Sequence, residues 1–201
     1  MRTEILIYDG FDELDAFGPY EVLANGGFDV ALVAHGADRV VAANGAIVVP
    51  HRAPTDQAEL LVIPGGGWTL RGPKGAWAEV QRGVLPALIA ERHAAGARIA
   101  SVCTGAFLVA AAGLLNGRPA TTHHTDVDDL EAMGVRVIRD ARVVDEGDIL
   151  SAAGVTSGID LALWLVEREK GRAAADAVAA EIEHTRNERV WRASEADLIP
   201  K

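Results

Sequence analysis

The sequence predicts an α/β fold in which a mainly parallel sheet carries helices on both faces, forming a three-layer sandwich. Apolar runs that favour strands alternate along the chain with segments of helical spacing, which is the order typical of α/β proteins. Several of these runs, such as residues 60–63, are continuously apolar instead of alternating with polar residues. Continuous apolar runs indicate strands that are buried on both faces of a parallel sheet.

In the first half of the chain, local signals start or stop each predicted element. A short strand rich in Ile and Leu ends at Asp9-Gly10, and a helix that carries Pro19 in its first turn ends at Gly26-Gly27. Asn44-Gly45 is a favoured turn pair and predicts a hairpin. The predicted elements are strands over 4–8, 28–34 and 60–64, a helix over 16–24, and hairpin strands over 40–41 and 46–49.

The second half continues the alternation of strands and helices. Gly96, Asn116-Gly117 and Gly134 each follow a segment of helical spacing and mark its end. Helices are predicted over 84–95, 106–115, 126–133, 159–170 and 173–183, and strands over 99–102, 119–124, 135–138, 143–144 and 149–151.

Length and composition predict one globular domain. The chain has 201 residues, of which 49% are hydrophobic and 24% charged, and no Ser/Pro-rich linker divides it. We therefore expect a single domain over residues 1–201, with a polar C-terminal tail from about residue 184.

Charge and cysteine content narrow the function classes. A formal net charge of −10 disfavours nucleic acid as a partner, because phosphate binding needs a concentrated basic face. The apolar run at the N-terminus is too short for a signal peptide or a membrane-spanning helix. A single cysteine cannot form an intramolecular disulfide, and the histidines lack the spacing of a zinc site. These features predict a cytoplasmic protein with no metal and no membrane partner.

Cys103, the single cysteine, is the candidate nucleophile. It joins a short apolar strand to a small-residue helix, in the run Ser101-Val-Cys-Thr-Gly. A sharp strand-to-helix turn exposes its central side chain and requires small residues two positions before and two after it. The following helix directs its free N–H groups at the sulfur, which is expected to favour the thiolate. The alternative is a buried structural cysteine, since free cysteine packs as a small hydrophobe.

Four segments that carry polar side chains or glycines follow predicted strands. They are residues 9–15, 65–67, 103–104 and 123–124. Because ligands of parallel α/β folds bind at the carboxyl ends of the strands, we expect these segments to converge on one crevice that takes a small molecule. Three glycines after a buried strand indicate a tight turn or a close backbone approach to a ligand, and no nucleotide-binding fingerprint accompanies them.

Within this crevice the residue types indicate roles around Cys103. Asp15 is the carboxyl that we place beside the sulfur; the alternative is a charge that interacts with a helix N-terminus. The N–H groups of Gly66 and Thr104 are candidate oxyanion donors, and Gly67 is a candidate substrate-binding residue in the same loop. The Thr104 hydroxyl either donates to the carboxyl or the substrate, or caps the helix.

The two adjacent histidines have two interpretations. His123 and His124 end a predicted strand, where one of them serves as a general base or both form an exposed pair. Adjacent strand residues point to opposite faces, so at most one ring is expected to face the site, and we assign His123 to substrate binding. Trp68 and Phe17 either wall an apolar pocket or pack in the core.

Five motifs in order resemble the ThiJ/PfpI superfamily, over most of the chain up to about residue 181. They are Leu14-Asp-Ala-Phe-Gly-Pro-Tyr-Glu-Val-Leu, Val62-Ile-Pro-Gly-Gly-Gly, Ser101-Val-Cys-Thr-Gly, Ala111-Ala-Gly-Leu-Leu-Asn-Gly-Arg-Pro-Ala-Thr-Thr-His and Gly154-Val-Thr-Ser-Gly-Ile-Asp-Leu-Ala. The resemblance implies a flavodoxin-like fold similar to class I glutamine amidotransferase domains, and a homodimer.

Within the superfamily, the pattern is most similar to isonitrile hydratases and to the sensor domains of certain AraC-type regulators. The hydratase pattern implies that Cys103 attacks the terminal isonitrile carbon, that Asp15 is the acid and base beside the sulfur, and that Thr104 assists. A thioimidate would form and then add water, which releases an N-substituted formamide. No metal or organic cofactor is implied.

Departures from the patterns of other branches narrow the expected activity. Thr104 stands where the protease-like branch has His, which disfavours peptidase activity, and Asp15 stands where the branches acting on methylglyoxal have Glu, which counts against glyoxalase or deglycase activity. His124 stands where the hydratases have Trp. The alternatives are a glyoxalase-like or deglycase-like activity on 2-oxoaldehydes, and a non-catalytic sensor that uses the cysteine for redox chemistry or binds a ligand.

Overall fold

A computed structural model describes residues 1–187 and 189–193. The strands are β1 (Arg2–Leu6), β2 (Asp29–Val33), β3 (Val40–Val41), β4 (Ile47–Val48), β5 (Leu60–Ile63), β6 (Arg98–Val102), β7 (Pro119–Ala120), β8 (Arg136–Val137), β9 (Val143–Asp145), β10 (Ile149–Ala152) and β11 (Val190–Arg192). The helices are α1 (Glu13–Asn25), α2 (Ala76–Arg82), α3 (Val84–Ala94), α4 (Gly105–Ala111), α5 (Val127–Ala132), α6 (Ser157–Lys170) and α7 (Arg172–Glu181).

Seven strands form the main sheet, in the order β11-β9-β10-β6-β5-β1-β2. The strands from β10 to β2 are parallel, whereas β9 runs antiparallel to β10 and β11 runs parallel to β9. Counted along the chain, the parallel strands have the spatial order 2-1-3-4-5, which is that of flavodoxin-like folds. The predicted mainly parallel sheet is confirmed.

Helices cover both faces of this sheet. The chain moves from β1 to β2 in one direction and from β5 to β6 in the other, so right-handed crossovers place α1 and α3 on opposite faces. α6 and α7 pack with α1, whereas α2, α4 and α5 pack on the side of α3. The strands between them carry fully buried side chains, including Ile5, Leu61, Ile63 and Ile99. The three-layer sandwich is therefore confirmed. In the described part of the chain, the helices are all too short or too polar to cross a membrane.

The predicted hairpin around Asn44-Gly45 is present as β3 paired antiparallel with β4. Glu13 attaches it to the first turn of α1, because its carboxylate accepts hydrogen bonds from the Asn44 N–H at 2.9 Å and from Asn44 Nδ2 at 2.8 Å. These bonds lower the pKa of Glu13 and fix the hairpin beside the start of α1.

Several predicted helix limits are wrong. α1 begins at Glu13 instead of residue 16, because the Asp12 carboxylate caps it by accepting from the Leu14 N–H at 3.1 Å. Pro19 therefore lies inside the helix and not in its first turn. α4 ends at Ala111 instead of residue 115, and the sequence analysis missed α2 altogether.

The predicted strand over 119–124 is also shorter in the structure. β7 ends at Ala120, and His124–Asp126 form a single 3-10 turn. Towards the C-terminus, Val190–Arg192 pair with β9 as an edge strand, although we predicted a polar tail from residue 184. The exposed edge of β9 provides the backbone partners that composition does not reveal. Residue 188 and residues 194–201 of the predicted tail lie outside the described residues.

Candidate active site

The loops that follow β5 and β6 meet in direct backbone contact. Cys103 has φ +56°, which is the left-handed conformation expected of the central residue in a sharp strand-to-helix turn. A Cβ at Gly105 would collide with the Ile63 carbonyl oxygen, and one at Gly65 would lie 2.5 Å from the Thr104 nitrogen. Glycine at both positions thus allows the turn that carries Cys103 to close against the end of β5.

Gly105→Ala is expected to lower the free energy of unfolding by about 3 kcal/mol or more. The added methyl would displace Ile63, whose strand lies inside the sheet and is hydrogen-bonded on both sides. Urea denaturation measures the change. Gly72→Ala is the matched control, because its Cβ would meet nothing within 4 Å and its φ is not positive. Equal stability of the two variants would contradict this account of the turn.

The Cys103 thiol lies in a buried position beside Asp15. Its residue is 6% exposed, and its N–H donates to the carbonyl oxygens of Ala152 at 3.1 Å and Ala153 at 3.0 Å. Burial and the Asp15 charge raise the pKa of the thiol well above its ordinary value. Hydrogen bonds from backbone N–H groups of Val155 and Thr104 lower that pKa but do not compensate. The predicted resting thiolate is therefore wrong, because desolvation outweighs the amide donors.

Asp15 is fully buried on the first turns of α1. Its Oδ2 accepts from the Gly65 N–H at 2.9 Å, and Oδ1 has no partner of regular hydrogen-bond geometry among the described residues. Burial and the charge of Asp12 raise the pKa of Asp15 to about 8, against the lowering effect of hydrogen bonds from Gly65 and the Cys103 thiol. At neutral pH the carboxyl is thus protonated and adjacent to a protonated thiol.

Thr104 links the turn that carries Cys103 to the loop of residues 65–67. Its Oγ1 accepts from the Gly66 N–H at 2.8 Å, and its side chain makes no capping hydrogen bond to α4. The Gly66 N–H is therefore not the free oxyanion donor that we predicted, since the Thr104 hydroxyl occupies it. Because that hydroxyl oxygen is an acceptor here, its own proton is available to a carboxylate or a substrate.

Both histidines lie outside a strand, and their rings are neighbours. The centroids of His123 and His124 are 4.4 Å apart, so the prediction that they point to opposite faces is wrong. His123 lines the cleft beside Cys103, and His124 does not. His123 Nδ1 lies 2.8 Å from Thr125 Oγ1, and a Cβ at Gly154 would collide with the His123 ring. Burial and His124 lower the pKa of His123, which makes the neutral ring the main form at neutral pH.

A cleft of about 200 Å³ opens above the sulfur. Its lining includes Cys103, Thr104, Gly66, Gly67, Trp68 and His123. Trp68 is 5% exposed and stacks on Phe107 with ring centroids 3.6 Å apart, so it both lines the cleft and packs in the core. Phe17 lies away from the cleft, 36% exposed and 6.4 Å from the Phe11 ring. All four predicted segments contribute side chains or backbone to the cleft. The first three follow β1, β5 and β6 of the main sheet, whereas His123 comes three residues after β7, which pairs with β8 in a separate two-stranded sheet.

Sequence reasoning did not identify several residues that line the cleft, among them Val155 and Asp126. Val155 has φ +42°, a conformation that a β-branched residue rarely adopts, and its N–H faces the sulfur. Asp12 and Asp126 add acidic side chains to the lining. Asp12 lies in the segment 9–15 that was expected at the cleft, and an acid just before a helix is a recognisable capping signal. The Val155 conformation, by contrast, has no signal in the sequence.

Asp126 and Asp129 hold the loop that forms the outer wall of the cleft. Thr69 Oγ1 donates to Asp126 Oδ1 at 2.9 Å, and Trp68 Nε1 donates to Asp129 Oδ2 at 2.9 Å. Within residues 1–187 and 189–193, no group of three His, Cys, Asp or Glu side chains is placed to hold a metal ion. The groups that the cleft presents are therefore a thiol, a carboxyl, a hydroxyl, an imidazole and backbone amides.

Similar proteins combine this fold with several activities. Isonitrile hydratase of Pseudomonas putida is 32% identical over 195 residues, which cover 92% of this chain and 78% of that protein. A deglycase of Thermococcus kodakarensis is 29% identical over 83% of this chain and 96% of its own length. The crystal structure of a ThiJ/PfpI family protein from Pseudomonas syringae has a TM-score of 0.83 and 29% identity, over 92% of this chain and 76% of that chain.

The family profile described as DJ-1/PfpI matches residues 1–168. This span contains the whole candidate site, from Asp12 to Val155. Together with the fold and the identity to these relatives, the match shows that the chain belongs to the DJ-1/PfpI family.

Proposed function

We propose that this protein hydrates small, uncharged isonitriles to N-substituted formamides, with Cys103 as the nucleophile. The observation that carries the proposal is the Cys103 thiol at the floor of the cleft with the buried Asp15 carboxyl hydrogen-bonded to it, both protonated at neutral pH. An isonitrile carbon must gain both a nucleophile and a proton, and this pair holds both in one place. The similarity to isonitrile hydratase supports the same reaction.

The first half of the proposed reaction forms a C–S bond. The reactive form of the pair has lost one proton and holds an Asp15 carboxylate beside the Cys103 thiol. In this form the thiol proton passes to Asp15 while the sulfur bonds to the terminal carbon of the isonitrile. Asp15 then delivers that proton to the same carbon, which gives a thioimidate on Cys103 and a carboxylate at Asp15. The Thr104 hydroxyl, whose proton is free, donates toward the substrate or toward Asp15 during this step.

The second half adds water. The Asp15 carboxylate takes a proton from the attacking water and passes it to the substrate nitrogen, while the water oxygen bonds to the thioimidate carbon. The C–S bond then breaks, and the hydroxyl proton returns through Asp15 to the sulfur as the carbonyl forms. The sum of the two halves is addition of one water to the isonitrile, with Cys103 and Asp15 restored.

The charge of the cleft favours a neutral substrate. Asp12 and Asp126 line it, and none of the described Lys or Arg residues does. His123 also lines the cleft, but its pKa is lowered, so its ring adds little positive charge at neutral pH. An anionic substrate would enter without a counter-charge, whereas an uncharged isonitrile carries no such penalty.

The test is whether the purified protein converts a simple aromatic isonitrile to its formamide, with the product measured by chromatography. We expect saturable turnover by the wild-type protein and none above the buffer rate with Cys103→Ala. If the wild type does not exceed the buffer rate, the proposal is wrong.

The second candidate is an activity on 2-oxoaldehydes, which the similarity to a deglycase favours. Lactate formation from methylglyoxal that depends on Cys103, without turnover of the isonitrile, would establish it instead. Loss of both activities, together with reversible peroxide modification of Cys103, would support the sensor alternative.

We further propose, from the resemblance to the superfamily, that the protein is a cytoplasmic homodimer. Sedimentation velocity measures the assembly directly. A monomer at micromolar concentrations would contradict this part of the proposal.

A further inference from the structure

The peptide unit between Cys103 and Thr104 is held by a side chain that lies outside the cleft. Thr122 Oγ1 donates to the Cys103 carbonyl oxygen at 2.8 Å, and the Thr122 residue is 1% exposed. Thr122 is not among the residues that line the cleft, so we do not expect its hydroxyl to contact a bound substrate. Among the described residues, the other hydrogen bond to this carbonyl comes from the Ala106 N–H and is long, at 3.4 Å.

This bond acts on a strained part of the backbone. Cys103 has φ +56°, a left-handed conformation that is unfavourable for a residue with a side chain. Its N–H is fixed by the carbonyl oxygens of Ala152 and Ala153, and its C=O is fixed by Thr122. The turn is therefore held on both sides of the nucleophile.

The same bond determines where the Thr104 N–H points. A peptide unit is planar, so its C=O and N–H groups are directed oppositely and move together. The Thr104 N–H lies in the same plane as the carbonyl that Thr122 holds and points in the opposite direction, where it donates toward the Cys103 sulfur. A hydrogen bond to the carbonyl also polarises the N–H of the same unit and makes it a better donor.

We propose that Thr122 is a positioning residue of the active site: its buried hydroxyl fixes the Cys103–Thr104 peptide so that the Thr104 N–H stabilises negative charge on the sulfur. The neighbouring Thr121 does not share this role. Its N–H donates to Ser151 Oγ at 2.8 Å, and its hydroxyl has no hydrogen bond to another described residue. The two threonines are adjacent and both buried, which makes them a matched pair for substitution.

The test is the rate of Cys103 alkylation by iodoacetamide as a function of pH, measured by intact-protein mass spectrometry. Thr122→Val keeps the shape of the side chain and removes the hydroxyl. We expect it to slow alkylation near pH 8 by about tenfold, because a weaker Thr104 donor leaves less thiolate. Thr122→Ser is expected to restore the wild-type rate, and Thr121→Val to leave it unchanged.

Steady-state kinetics give the second measurement, and this part rests on the proposed isonitrile hydration. Thr122→Val should lower kcat by about tenfold with little change in KM, since the hydroxyl does not touch the substrate. Alkylation needs no substrate, so it decides the role of Thr122 even if the isonitrile is not turned over.

Two outcomes would overturn the proposal. Wild-type alkylation by Thr122→Val would show that the hydroxyl does not act on the sulfur. An equal loss in Thr121→Val would show that packing around the segment, and not the hydrogen bond, is responsible. If Thr122→Val does not fold, the comparison of Thr122→Ala with Thr122→Ser gives the same decision, because only the serine retains the hydroxyl.

Discussion

Replacement of Cys103 by alanine is expected to reduce formamide formation by about 10⁴-fold or more. The sulfur is the single thiol of the chain and lies at the floor of the cleft, with Asp15 as its proton partner. Direct attack of water on the isonitrile carbon is much slower, because the sulfur is the stronger nucleophile and divides the hydration into two easier steps, thioimidate formation and the addition of water to it. The measurement is the turnover number with an aromatic isonitrile under saturating conditions.

Control variants separate chemistry from folding in this experiment. Cys103→Ala keeps a Cβ at the left-handed position and removes one buried atom, so thermal unfolding should change by only a few degrees. Cys103→Ser retains a hydrogen-bonding group of similar shape and should be nearly as inactive, because an alcohol is a far weaker nucleophile. Turnover within tenfold of the wild type in the folded alanine variant would exclude Cys103 as the nucleophile.

The parts of the fold that depend on burial could be predicted from the sequence. Continuous apolar runs such as Leu60–Ile63 predicted central parallel strands, and their turns predicted that Asp15, Gly66 and Cys103 would meet. These expectations need only the rule that parallel strands end at one edge of a sheet. The short sequence 101–105 predicted the sharp strand-to-helix turn at Cys103, because such a turn requires small residues at fixed positions.

The parts that depend on exact backbone contacts could not be predicted. The sequence does not show that Thr104 Oγ1 occupies the Gly66 N–H, or that Val155 adopts φ +42° to direct its N–H at the sulfur. The protonation of Cys103 was wrongly predicted for the same reason. A helix N-terminus is visible in sequence, but the burial that outweighs it depends on the packing of both loops.

Replacement of Asp15 by asparagine is expected to lower kcat/KM by about 10³-fold, because the variant has no group that moves a proton between sulfur and carbon. In the wild type the reactive form is the pair that has lost one proton, so kcat/KM should rise with pH through about 8, the pKa of Asp15. Asp15→Asn should lack this rise. A wild-type profile that is flat between about pH 6 and 9 would contradict the assignment.

The same substitution has an opposite effect on stability. Folding raises the pKa of Asp15 from its ordinary value of 3.8 to about 8, so between these values the folded protein holds a proton that the unfolded chain has lost. Its contribution to the free energy of unfolding therefore falls as pH rises through this window and is fully lost above about pH 8. Asparagine cannot ionise, and its carbonyl oxygen can still accept from the Gly65 N–H.

Asp15→Asn should consequently be more stable than the wild type at alkaline pH, by a few kcal/mol, and similar to it near pH 4. Urea denaturation of both proteins between about pH 4 and 9 measures the difference. Parallel pH dependences would show that the carboxyl is not neutral in the folded protein. A gain in stability that accompanies a loss of turnover would identify Asp15 as a group held in an unfavourable environment for its chemistry.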